Sequence, residues 1–507
     1  MALGSILLYG LGAFIVYRWY VFQSFKAKLR DIPTIGGDGF LSAYISAWKS
    51  IFNHHLVIQE GYTKYPNAVF KTPYMFTRTG WRVIVTGKLA EDIRKASPQE
   101  LSFRLLIREV IQADHMLDVN TMGTTYHIDT VRVALTRNYG ARFADLVDEI
   151  NAAADDLLQI GDDWTSFPVH ETMIHWVARV SNRVLVGLPL CRNPEYLRLN
   201  EKAALNIFLP ASFLHLFTEF LQPLIGKLIT QIPKTSRGIQ KHLGPVIEQR
   251  LLNEKKYGSQ WEGKPNDAIT WLLDSAPSEH RSIQDIVHRI MMLNVASIHT
   301  TSMVSSNIIF YLAAHQEYIE PLRAEIEEVI ATEGWTKESM SKMHKLDSFA
   351  KEVNRLAGIG ASSLGRMVLK DFRLSNGVVV PAGCSISVAS YPVHLNPDIY
   401  NNPETFDGFR FAKSKDAEVM EDAERLTNQM VTLDYNYLLF GHGRNACPGR
   451  FFAVSEIKAI LAHILVNYDL KLPNDATTPP PGNWFAGAYS PDSKATVLFK
   501  KRVDIRL

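Results

Sequence analysis

The sequence predicts a mainly helical α+β fold with small β-sheets and one long central helix. Three features of the 507-residue chain carry that expectation. Helix-compatible apolar spacing runs almost unbroken from Gly87 to about residue 365. Runs rich in β-branched and aromatic residues fall near the two ends of the chain. Residues 282–315 form one uninterrupted helical candidate, long enough at 1.5 Å per residue to cross a large domain. With 46% hydrophobic and 21% charged residues, the chain is not of the disordered class. Its 54 basic and 52 acidic side chains leave a net charge of +2, which gives no bulk attraction to nucleic acid. Three cysteines, Cys191, Cys384 and Cys447, are odd in number and far apart. No disulfide framework is implied, and a reducing compartment fits better.

Residues 2–17 carry no charge, and Trp19 to Phe22 extend the apolar run past Arg18. We read residues 1–23 as a transmembrane anchor rather than a cleaved leader, because no basic n-region or small-x-small cleavage site is present. Arg18, Lys26, Lys28 and Arg30 follow the apolar run, which places the body on the cytosolic side of a single-pass protein. Residues 24–40, with Pro33, Gly36 and Gly37, read as a linker, and residues 41–507 as the body.

Within the body, residues 41–66 read as a helix, and 69–72 with 81–86 as a strand pair. Helices are expected over 88–95, 125–138, 143–160, 168–186, 193–208, 213–230 and 236–254. The long helix has Ser282 at its start with Asp285 three residues on, a capping-box-like pair, and polar groups in mid-run. Helices follow over 317–332 and 346–356. Then 366–374 and 378–388, divided by Asn376-Gly377, read as β-structure, and a helix runs from Pro448 to about Tyr468.

The most specific segment surrounds Cys447, between Phe440 and Arg450. Pro448 suits a first helical turn, so the cysteine precedes a helix N-terminus whose free N–H groups stabilise a thiolate. Gly441, Gly443 and Gly449 allow a tight loop and close approach of backbone to a flat ligand, with Arg444 adding positive charge. A zinc site would need more ligands at short spacing than His442 offers. Taken alone, the segment leaves open a buried structural thiol, a cysteine nucleophile and a soft-metal ligand.

Other motifs narrow that choice. Phe440, Gly443, Cys447 and Gly449 form Phe-x-x-Gly-x-x-x-Cys-x-Gly; Glu352-x-x-Arg355 lies upstream; the segment 403–411 with Arg410 lies between them; and Ala296-Ser297-Ile298-His299-Thr300-Thr301 sits on the long helix. In this order they resemble the cytochrome P450 monooxygenases, most of all fungal membrane-bound members.

The resemblance implies haem b as cofactor, with Cys447 as its axial thiolate and metal ligand, cradled by Phe440, Gly443, Arg444, Asn445 and Gly449. It implies haem-carboxylate contacts from Arg366, with Arg132 and His127 as candidates on the 125–138 helix, where the family's tryptophan-and-arginine pattern is absent. Glu352, Arg355 and Arg410 would be the scaffold behind the cysteine loop. Thr300, with Thr301, would supply the proton-relaying hydroxyl, and His299 would replace the family's acid. Asn445 stands where the family has arginine or histidine.

Segments 103–116, 204–229, 358–364 and 484–489 would border the substrate channel. No Gly-x-Gly-x-x-Gly follows a predicted strand, so electrons would come from a separate NADPH-cytochrome P450 reductase, with cytochrome b5 as a second donor. Arg444, Arg450 and Lys458 would offer it a basic surface. The expected activity is hydroxylation of a lipophilic small molecule, a terpenoid or steroid-like skeleton of secondary metabolism, at the endoplasmic reticulum membrane. Desaturation or rearrangement, oxidation of xenobiotics, and a non-catalytic haem sensor or carrier are the alternatives.

Overall fold

The computed structural model describes residues 2–117, 123–412 and 428–503, and the side chains of all of these except 2–8 and 11. The principal helices of the described residues are α1 (Ala2–Lys28), α2 (Phe40–Lys64), α3 (Phe103–Val110), α4 (Val169–Leu185), α5 (Pro194–Leu214), α6 (Gln222–Ile229), α7 (Ile232–Tyr257), α8 (Ile283–Ala314), α9 (His344–Leu356) and α10 (Arg450–Asn467). α8 is the axis of the body, packing on α4, α5, α7, α9 and α10. Its apolar side chains on several faces, from Ile286 to Leu312, are buried, which explains why a helix with little amphipathic character is stable here.

Ser282 starts α8, its hydroxyl accepting the Asp285 N–H at 3.1 Å. The return half of the expected capping box is replaced. Asp285 instead pairs with Arg289 one turn on, at 3.1 Å, and accepts the Tyr126 hydroxyl. Arg289 is fully buried, and the nearby carboxylate is the stronger partner for it.

Among the described residues, four small sheets surround this bundle. The largest has the order β1 (Val69–Pro73), β2 (Trp81–Val85), β8 (Ser385–Ala389), β5 (Ser362–Val368), β3 (Leu101–Ser102). β2 and β8 run parallel with Arg82 level with Ser385, and the other pairs are antiparallel. β6 (Phe372–Arg373) and β7 (Val379–Val380) form the hairpin expected at Asn376-Gly377, with Gly377 at φ +88°. A three-stranded sheet joins β4 (Thr165–Pro168), β12 (Thr496–Lys501) and β9 (Tyr468–Lys471), and β10 (Asn483–Phe485) pairs with β11 (Ala488–Ser490).

Several boundaries differ from the sequence expectation. α5 continues through Pro210 to Leu214 and α7 through Pro245, because tertiary packing outweighs the lost backbone hydrogen bond. The helix expected over 213–230 is reduced to α6. The helix expected over 125–138 contains a π-type turn, Val131–Leu135, which changes the face on which later side chains emerge.

The stretch 24–40, expected to be a linker, is held against the body. It is helical to Lys28, and Leu29, Ile32 and Ile35 are buried. The buried Lys71 ammonium donates to the Leu29 carbonyl at 2.9 Å and to that of Ile32. The Lys71 backbone bonds Pro33 and Ile35 on either side. Phe22, at the end of the expected anchor, stacks on Trp81 with centroids 5.2 Å apart. Among the described residues, no helix is long and apolar enough to cross a membrane. The side chains of 1–8 and 11, the front of that expected anchor, lie outside the description.

Candidate active site

One face of α8 opens on a cavity of about 760 Å³. Leu293, Ala296, Ser297, Thr300, Thr301 and Val304 line it, at spacings that repeat every three or four residues. The Thr300 hydroxyl donates to the Ala296 carbonyl one turn back at 2.7 Å. Ala296 and Thr300 are exposed on the cavity side, where small side chains leave room over the helix.

The segment 440–449 closes the cavity with Cys447, Asn445, His442, Phe440 and Gly449 among its lining. The loop turns on Gly441 and Gly443 at φ +67° and +73°, and is pinned where the Cys447 N–H donates to the Phe440 carbonyl at 2.9 Å. Burial pushes the Cys447 thiol up, and the N–H groups of Gly449 and Arg450, with the Arg450 guanidinium, act in the opposite direction. The Cys447 side chain lines the cavity just before α10.

A Cβ on Gly443 would lie 2.6 Å from Arg94 Cγ. Arg94 has little freedom to retreat, because it donates to Glu91 and to the Tyr435 hydroxyl, each at 2.7 Å. Gly443→Ala should cost about 1–3 kcal/mol, from the left-handed backbone and the contact together. Thermal unfolding compared with Gly258→Ala checks this, since Gly258 has φ +86° and open space around it. Equal losses in the two variants would remove the contact from the account.

Behind the loop, Glu352 and Arg355 on α9 are buried and doubly bonded, both contacts 2.8 Å. The same carboxylate accepts from Arg410 Nε at 3.0 Å and from the Asp407 N–H at 3.1 Å. Arg355 continues outward to the His394 and Pro403 carbonyls, each at 2.6 Å. His394 accepts the Leu438 N–H at 3.0 Å, just ahead of the cysteine loop. Burial beside Arg355 holds the His394 imidazole down at about 3, so it is a neutral acceptor.

This combination of cavity, cysteine loop and helix face can be set beside known proteins. The family profile Cytochrome P450 matches residues 119–499. Cytochrome P450 monooxygenase 103 of Postia placenta is 36% identical over 96% of this chain and 97% of its own. The chain belongs to the cytochrome P450 family. Cytochrome P450 monooxygenase CYP512U6 of Ganoderma lucidum is 34% identical over 97% of this chain and 94% of its own. The structure of the retinoic acid-bound cyanobacterial CYP120A1 aligns with a TM-score of 0.64 at 18% identity, covering 93% of this chain and 98% of that one, so the fold is shared. The protein is accordingly an oxidoreductase of the monooxygenase class, and the cytochrome P450 cofactor is haem b with a thiolate ligand.

The cavity suits that cofactor. Besides the thiol, it contains the buried guanidinium of Arg366, which no carboxylate pairs among the described residues. Its own partners are the Gly365 carbonyl at 2.7 Å and the face of Phe103, and burial holds its pKa down at about 10. An anionic group in the cavity, such as a haem carboxylate, would neutralise it. His127 also lines the cavity and accepts from Arg289 at 3.0 Å; burial and that cation hold its imidazole down at about 4.

Four residues named from the sequence are placed elsewhere in this cytochrome P450. His299 does not line the cavity: its Nε2 contacts the Glu201 carbonyl on α5 at 2.7 Å, about 100° around α8 from Thr300. Arg132 is half exposed, paired with Asp129 at 2.9 Å and reaching the Arg444 carbonyl at 3.5 Å. Arg444 points to solvent, leaving Asn445 on the cavity side. Lys458 is buried against Asp347 at 2.6 Å and offers no docking charge. Of the expected channel segments, Phe103, Leu106, Ile359, Gly360, Ser362, Ser363, Leu364 and the 486–488 turn line the cavity, whereas none of 204–229 does. Arg289, His394 and the buried Glu456, whose carboxyl burial pushes up to about 8, have no motif that could reveal them.

Proposed function

We propose that the protein is a membrane-associated monooxygenase that hydroxylates a lipophilic small molecule with a terpenoid or steroid-like skeleton. The observation that carries this reading is the convergence of Cys447, Arg366 and the Thr300 face of α8 on one cavity. Cys447 would hold the haem iron, with Phe440, Gly443, Asn445 and Gly449 forming the cradle and Arg366 and His127 meeting its polar edge. Bound there, haem supplies the centre at which dioxygen is reduced and one oxygen atom is transferred to the substrate.

The chain's own contribution is control of protons and water. Thr300 spends its hydrogen on the Ala296 carbonyl, which leaves its oxygen lone pairs free to hold a water in the cavity and pass protons along it. Thr301 beside it is buried and closes that wall. Thr300→Ala should therefore bind substrate normally yet lower product per NADPH by about tenfold or more, within the range of one general acid–base group. Hydrogen peroxide release should rise in step. His299→Ala should change coupling less than twofold, because its ring is committed to the Glu201 carbonyl. Unchanged coupling in the Thr300 variant would remove the relay role.

Membrane association is supported by exposed apolar side chains on α1 (Tyr9, Ile15, Val16, Trp19, Tyr20) and on α2 (Leu41, Ile45, Trp48, Phe52, Leu56). The α2 residues recur at helical spacing on one face. Phe213, Phe220, Leu224 and Leu228 add to them from α5, α6 and the turn between. In this reading residues 1–23 anchor the chain in the endoplasmic reticulum membrane, the body faces the cytosol, and an NADPH-cytochrome P450 reductase, with cytochrome b5, delivers electrons. Co-expression with a reductase and product identification over terpenoid and steroid panels tests it. Turnover of small polar aromatics alone would overturn the substrate class.

A further inference from the structure

The cavity has a second polar end, built by elements that carry neither Thr300 nor Cys447. Arg82 on β2 lines it, half-buried, with its guanidinium 3.8 Å from the centre of the Tyr74 ring. No carboxylate pairs with Arg82 among the described residues; Glu109 is turned to the Arg78 N–H at 3.0 Å. Level with Arg82 on the neighbouring strand is Ser385, and Ser387 lies two residues on, on the same face. Both serines are buried, line the cavity, and have hydroxyls without a partner. Behind Tyr74, outside the cavity lining, lies His54, its ring tilted 48° to that of Tyr74 with centroids 4.9 Å apart and both its nitrogens buried without a partner. Burial and Arg82 hold that imidazole down at about 3, so it is neutral. The Tyr74 hydroxyl is already committed, donating to the Ala486 carbonyl at 2.9 Å.

The cluster thus offers one positive charge and several free hydrogen-bond donors, and no anion of its own. Buried polar groups left unpaired are costly, and their recurrence on one strand face marks a site completed by a ligand. A guanidinium fork beside two hydroxyls matches the two oxygens and single charge of a carboxylate. We propose that the substrate is a lipophilic carboxylic acid, positioned by Arg82 with Ser385 and Ser387 through its carboxylate. This rests on the monooxygenase reading and narrows its substrate class. The haem also carries carboxylates, but β8 separates the backbones of Arg82 and Arg366 by about 10 Å, which favours two anionic positions served by different arginines.

The test uses the full chain as holoprotein in detergent, with binding read from the haem absorption shift. The probes are lithocholic acid, oleanolic acid and a long-chain fatty acid, each against its methyl ester. At least one acid should bind tenfold or more tighter than its ester. Arg82→Gln should abolish that preference while leaving ester affinity within twofold and haem content per protein unchanged. Arg82→Lys should restore part of it. If no acid outbinds its ester, or the preference survives in Arg82→Gln, the proposal is wrong. If Arg82→Gln loses haem while the apoprotein remains folded by circular dichroism, the arginine serves the cofactor and the proposal is equally overturned. A wild-type protein that shows the thiolate-haem spectrum but no acid preference would sink this inference alone and leave the monooxygenase reading standing.

Discussion

Glu352→Ala is expected to lose about 3–5 kcal/mol of stability and most of the haem-loaded protein, because it strands two guanidiniums that now share one carboxylate. Glu352 and Arg355 are fully buried, so no water replaces the lost partner. The damage should spread along the bonded path from Arg355 through His394 to the Leu438 N–H, which fixes the entry to the cysteine loop. Glu352→Gln keeps the shape but not the charge, and should fall between wild type and alanine. The exposed Glu60–Lys64 pair, also on one helix, makes a good control, since its loss should cost under about 0.5 kcal/mol. Thermal unfolding and haem content per protein measure both. A Glu352→Ala protein as stable as the Glu60 variant would show that the buried triad is not what supports the loop.

The second large effect is expected at Cys447. Serine is close in size, so Cys447→Ser should leave the body folded while removing the soft anionic ligand that the site presents. Turnover should fall by more than the roughly 10–100-fold that follows loss of an outer-shell partner at a metal site. The reduced, carbon monoxide-treated protein should lose its band at about 450 nm, the mark of thiolate ligation. Persistence of that band in the serine variant would move the ligand to another residue. Circular dichroism separates loss of the ligand from loss of the fold.

What the sequence made legible follows from how local each feature is. The Ser282 cap, the hairpin at Asn376-Gly377 and the cysteine loop depend on residues close in the chain, and the structure has each of them where spacing put it. Side-chain direction was less accessible. Thr300 and His299 are neighbours in one motif, yet one helical step separates the cavity from the carbonyl of Glu201. Of the neighbours Arg444 and Asn445, only Asn445 lines the cavity. Near Arg132 the π-type turn changes the helical phase, which ordinary helical spacing does not anticipate. The buried partners of Arg355, and the donor cluster around Arg82, join segments tens to hundreds of residues apart. No spacing rule connects them before the sheet is assembled.

Insertion of one oxygen atom from dioxygen into a lipophilic substrate is the expected reaction of this cytochrome P450. It is tested by turnover of the 507-residue protein with reductase and NADPH under oxygen-18 gas, with products analysed by mass spectrometry. The wild type should form a hydroxylated product carrying one labelled oxygen atom, and Cys447→Ser should not. A wild-type product that carries no label, as desaturation or rearrangement would give, would rule out oxygen insertion.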